Sequence, residues 1–182
     1  MAIWQWRLMF IPEEALLRKY DVLPLAIPQD VAEDSLWWSD IQPAVGFEQQ
    51  IDLILPEATS WSTSMRMWGE KHGDDAHVCY VDESKTTVEE IVFRINAGAI
   101  SPELVRRICI LARQLGCMLM TAEYEILAPD ESMVLTAINH STAKGYIDDP
   151  VSTLRKLGQP EVQERLNYPM KDKGSKPPRT NE

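Results

Sequence analysis

The residues best suited to chemistry lie between positions 67 and 83, in "MWGEKHGDDAHVCYVDE". Two of the three histidines, His72 and His77, sit there beside Asp74, Asp75 and Cys79. Imidazole, carboxylate and thiolate are the groups that zinc takes as ligands, and an incomplete ligand set leaves room for an activated water. Between the two histidines, however, stand Gly73, Asp74 and Asp75, which are turn formers. The spacing matches no zinc pattern, and there is no CxxC pair. We therefore read the stretch as the tip of a β-hairpin. A small metal-dependent enzyme using the His72/His77 turn is the alternative.

Other chemistries find less support. Cys79, Ser132 and Ser141 lack the GxSxG context of a nucleophile elbow. His140 falls near a helix end, where a cationic ring interacts with the dipole. Glu89 and Glu90 are adjacent on a predicted strand, so they should point to opposite faces and form no acid–base pair. No GxGxxG or GxxxxGK[ST] loop follows a strand, so no nucleotide cradle is visible. Cys109 reads as a small core residue. We expect no enzyme, no cofactor and no bound metal.

The elements that would position these residues are legible from periodicity. "AIWQWRLMF" alternates and predicts a strand, and "PEEALLRKYD" predicts a short helix with acids at its start. An irregular, proline-punctuated region holds "LWWSDIQP", and "GFEQQIDLILP" predicts a further helix. "SWSTSMRMW", "AHVCYVDE" and "TVEEIVFRINA" are three strands with short polar connections, which favours an antiparallel meander. "SPELVRRICILARQLG" is the clearest helix. Ser101 caps it, Pro102 opens it and Gly116 closes it, while Leu104, Ile108, Leu111 and Leu115 mark its apolar stripe. A strand from Cys117 follows. One helix is then expected from Asp130 to near Gly145, and a last one capped by Asp149. The expected fold is a single α+β domain over residues 1–168: a mainly antiparallel sheet of about five strands with helices packed on one face. Residues 169–182 have little to bury and predict a disordered tail.

Composition narrows the function. The chain has 182 residues, 45% hydrophobic and 25% charged, enough for a real core. No apolar run is long enough for a membrane span, and the N-terminus lacks the pattern of a signal peptide, so a cytoplasmic location is expected. The three cysteines suggest no disulfide framework. The formal net charge of -10 disfavours nucleic acid and suits a basic protein partner.

From "SWSTSMRMW" through "FRIN" and "LARQLGC" to "STAKGYIDDPVSTLRKL", about residues 45 to 157, the chain resembles small immunity proteins encoded beside bacterial polymorphic toxins. That resemblance implies a cytoplasmic protein that neutralises one cognate toxin by occluding its active site or a nearby surface. It implies no catalytic residue. A regulatory interaction domain outside toxin systems is a further possibility. For a partner-binding surface the acidic hairpin is the first candidate: Glu70, Asp74, Asp75, Asp82 and Glu83 would steer a basic partner. Trp4, Trp6, Trp61 and Trp68 fall on alternating strands and are expected in the core. Trp37 and Trp38 lie in the irregular region, where an exposed ring would make an aromatic anchor.

Overall fold

In the computed structural model, which describes residues 3–70 and 72–158, the strand pattern closes into one seven-stranded antiparallel sheet. Its order is β2-β3-β4-β5-β1-β6-β7. The strands are β1 (Gln5–Pro12), β2 (Glu57–Ala58), β3 (Met65–Gly69), β4 (Asp75–Tyr80), β5 (Val88–Asn96), β6 (Cys117–Thr121) and β7 (Ile126–Leu127). The fold class is α+β, as expected. β2 and β7 add two edge strands that two-residue pairings could not announce by periodicity.

The first strand holds the sheet together, because β1 pairs with β5 along one edge and with β6 along the other. Its alternation sorts the two faces. Trp6, Leu8 and Phe10 share one face with Ile91, Phe93 and Ile95 of β5 and Ala76 and Val78 of β4, all buried. Phe10 and Phe93 stack with ring centroids 5.4 Å apart. This face is covered by helices. α3 (Phe47–Asp52) is tied to it where the indole of Trp68 donates to Asp52 Oδ1 at 2.6 Å. α4 (Pro102–Gln114) buries Leu104, Val105, Ile108, Leu111 and Ala112, and its Arg107 donates to the carbonyl of Leu53 just beyond α3.

Helix ends follow the capping residues. Ser101 Oγ accepts from the Leu104 amide, and Gly116 takes the left-handed φ of +64° that closes α4. α1 (Glu13–Tyr20) lies where expected. The irregular region contains a helix that was not expected, α2 (Gln29–Asp34). The single helix expected from Asp130 is two, α5 (Glu131–His140) and α6 (Thr142–Asp148). Ser141 causes the break: its extended backbone ends α5, and its hydroxyl caps α6 by accepting from the Lys144 amide. α7 (Pro150–Leu157) starts at its Asp149 cap. Residues 159–182, including the expected tail, lie outside the described residues.

Candidate functional site

The second face of the sheet carries the chemistry. Register places Gln5, Arg7 and Met9 of β1 there, with Glu90, Val92 and Arg94 of β5, Asp75, His77 and Cys79 of β4, and Met65 and Met67 of β3. Two clefts open on it.

One lies at the end near the β3–β4 turn. This cleft of about 510 Å³ is lined by Trp4, Trp61, Met67 and His72, with Arg94 and Asp75 also in its wall. Trp61 is 79% exposed, and Trp4 is half-buried. Trp61 therefore corrects the core expectation, which Trp6 and Trp68 satisfy. The strand begins at Met65, so alternation read back to Trp61 ran past the start of the ladder.

The turn itself is anchored rather than free. Asp75 is buried, accepts from Arg94 Nε at 2.6 Å, and takes the Gln5 amide at 3.0 Å. Gln5 also donates to the Gly73 carbonyl. Asp74, half-buried, accepts the Asn96 backbone amide at 2.7 Å. Burial pushes both carboxyls above their ordinary pKa, more than the Arg94 and Gln5 contacts lower that of Asp75. Gly69 allows this closeness: a Cβ there would stand 2.2 Å from the Asp74 carbonyl oxygen.

The acidic surface expected from the sequence thus divides. Glu70 is exposed in the β3–β4 turn, whereas Asp75 is withdrawn into an ion pair. Asp82 and Glu83 are exposed, but they belong to the β4–β5 turn at the far end of β4. Six strand residues separate the two turns, about 20 Å, so the five carboxylates do not form one patch. Asp82 accepts from the Ser84 amide and hydroxyl, which lowers its pKa, and Glu83 accepts from Thr63. Trp37 and Trp38 are also corrected as anchors, with 6% and 2% exposure. The Trp38 indole donates to the Phe10 carbonyl, so the irregular segment is pinned to the sheet rather than offered to a partner.

The second cleft, about 320 Å³, lies between the sheet and the α2 region. Arg7, Met9, Cys79, Glu89 and Glu90 border it from the sheet, and Ala32 and Trp37 from the other side. Here the expectation for the two glutamates changes. β4 and β5 slip register between Cys79 and Tyr80, with Cys79 opposite Glu90 and Tyr80 opposite Val88. The extra residue is Glu89, and both glutamates border one cleft. Glu90 pairs with Arg7 at 2.6 Å.

His77 and His72 part company. His72 is exposed in the turn. Ligand atoms of His77, Cys79 and Glu90 instead all lie within 4.8 Å of one another. They arise from alternation along β4 plus the cross-strand partner of Cys79, a pattern that strand spacing could have shown had the register been known. Burial, with Arg94 and Arg7 nearby, lowers the His77 pKa to about 4, so its ring is neutral at pH 7. Burial and the two glutamates push the Cys79 thiol up to about 11.

Compared with family models, curated proteins and solved structures, the chain matches none. Among the described residues no helix is long and apolar enough to cross a membrane.

Proposed function

We propose that this protein acts by binding, as an immunity protein that neutralises one cognate toxin, and that it does so through the cleft of Trp4, Trp61, Met67 and His72. The observation that carries this reading is Trp61, 79% exposed on the rim of that cleft. An indole left in water beside the Trp4 and Met67 side chains gains most when a partner covers it, and such rings recur as interface hot spots. The net charge of -10 favours a basic partner and speeds its encounter. The rigid base supports the same reading: the Asp75–Arg94–Gln5 network holds the turn in place before any partner arrives, which reduces the ordering cost of association.

The test is co-expression with toxins encoded next to this protein's gene, followed by binding kinetics on the purified pair. Trp61→Ala should weaken binding by about 2 kcal/mol or more, roughly 30-fold, by raising the dissociation rate. Its melting temperature should stay within about 1 °C, since exposed positions change stability little. Failure of the wild-type protein to protect against any neighbouring toxin would sink the immunity reading. Binding that is indifferent to Trp61 would move the interface elsewhere.

A further inference from the structure

The second cleft carries a separate inference. His77 and Cys79 lie two positions apart on β4, so both project from the open face, and Glu90 of β5 stands directly opposite Cys79. One imidazole nitrogen, the thiol sulfur and one carboxylate oxygen thereby come within 4.8 Å of one another, each on a half-buried residue. Tetrahedral zinc holds sulfur at about 2.3 Å and nitrogen or oxygen at about 2.0–2.2 Å, so its ligand atoms stand about 3.3–3.7 Å apart. Side-chain shifts of about 1 Å or less bring the trio to that spacing with the strands in place. Glu90 is already oriented. Arg7 Nη2 donates to its Oε1 at 2.6 Å, and the carboxylate keeps a second oxygen and further lone pairs. A guanidinium bonded to a ligating carboxylate fixes its direction, as outer-shell partners of metal ligands do.

The donor set selects the ion. Magnesium and calcium take oxygen ligands and would leave the imidazole and the thiol unused, whereas zinc takes thiolate, imidazole and carboxylate. We propose that His77, Cys79 and Glu90 form a Zn2+ site on the open face of the sheet, with the fourth coordination position open to the second cleft. As zinc bonds to Cys79 Sγ, the S–H bond breaks and the proton leaves to solvent. No electron moves. Thiolate and carboxylate then cancel the two charges of the ion, so a half-buried site carries no net charge. The cleft of about 320 Å³ is bordered by Cys79 and Glu90, which gives the ion a path of entry and the fourth position its water. Three protein ligands with one open position is the coordination of reactive zinc rather than of a closed structural site. Among the described residues, Cys109, Cys117 and His72 belong to no such group.

The inference is tested on the full-length, metal-free protein, with Zn2+ partitioned between protein and a chromophoric chelator. One equivalent should bind at micromolar free ion. Cys79→Ser, His77→Gln and Glu90→Gln should each weaken binding by about 10-fold or more, a loss that even an outer-shell change can cause. The distant His140→Ala should leave binding unchanged. Because a substitution within the strands could disturb folding, Co2+ loaded into the wild-type protein provides an independent readout. A thiolate-to-cobalt charge-transfer band in the near ultraviolet, with the visible bands of a tetrahedral ion, should grow to one equivalent. No uptake at micromolar free ion overturns the site, and so does a Co2+ spectrum without the thiolate band. Zinc that survives Cys79→Ser and Glu90→Gln but is lost on His72→Ala also overturns it, because the ion would then sit in the β3–β4 turn.

Discussion

Arg94→Met tests the buried ion pair that anchors the turn. Only 2% of the Asp75 side chain and 21% of the Arg94 side chain remain exposed, and the contact is 2.6 Å. Removing one member of a buried pair strands the other charge, at a cost of about 3–5 kcal/mol. Two features place this case near the lower end. Gln5 still donates to Asp75 at 3.0 Å, and the partly exposed guanidinium shows that water comes near. We expect a loss of about 3 kcal/mol at pH 7, or a melting temperature lower by about 6–12 °C. Asp75→Asn should cost less, about 1–2 kcal/mol, because the amide can still accept from Gln5 and the freed guanidinium can turn toward solvent. pH gives the discriminating measurement. The carboxyl of Asp75 has a pKa above its unfolded value, so the folded state keeps the proton longer. Stability from this group therefore falls as pH rises through that window, and Arg94→Met widens the window upward. The deficit of the variant should be full near neutral pH and shrink as the pH falls and Asp75 takes a proton. Urea unfolding of the wild-type protein and both variants at pH 7 and pH 5 measures this. A loss below about 1 kcal/mol for Arg94→Met, or a deficit that does not change with pH, would refute the argument that desolvation of Asp75 dominates.

Three further outcomes are expected. Leu111, 1% exposed in α4, should cost about 2–5 kcal/mol on truncation to alanine in chemical unfolding, and an effect under about 0.5 kcal/mol would reassign the helix face. Ser141→Ala should cost about 1–2 kcal/mol by the same assay, since the hydroxyl both caps α6 and donates to the Ile138 carbonyl at 2.7 Å; an unchanged midpoint would show that the α5–α6 break does not depend on it. His77 should show flat imidazole NMR shifts from pH 8 to 5 and titrate near pH 4. Its stabilising contribution is then present above the unfolded pKa of about 6.5 and lost as pH falls toward 4; a midpoint near 6.5 would mean that the ring is hydrated.

Local patterns alone settled much of this protein. Period-two alternation in "WQWRLMF" and "EEIVFRIN" marked the two longest strands, because one buried face requires it. Ser101, Pro102 and Gly116 delimited α4 through the unpaired backbone groups at its ends. The α+β class followed from those elements. What tertiary structure decided was which side chains meet. The distance between the β3–β4 and β4–β5 turns separated carboxylates that lie within fourteen positions of one another in sequence. Pairing with Arg94 buried Asp75, while Trp61, ahead of its ladder, stayed in water. The bulge after Cys79 brought Glu89 and Glu90 to one cleft, against the alternation of an unbroken strand. The physical reason is the same in each case. Periodicity reports the face on which a residue lies, but strand register, set by packing across the whole sheet, chooses its neighbours. His77, which lies five positions from His72 along the chain, therefore finds its partners in Cys79 and the opposing strands.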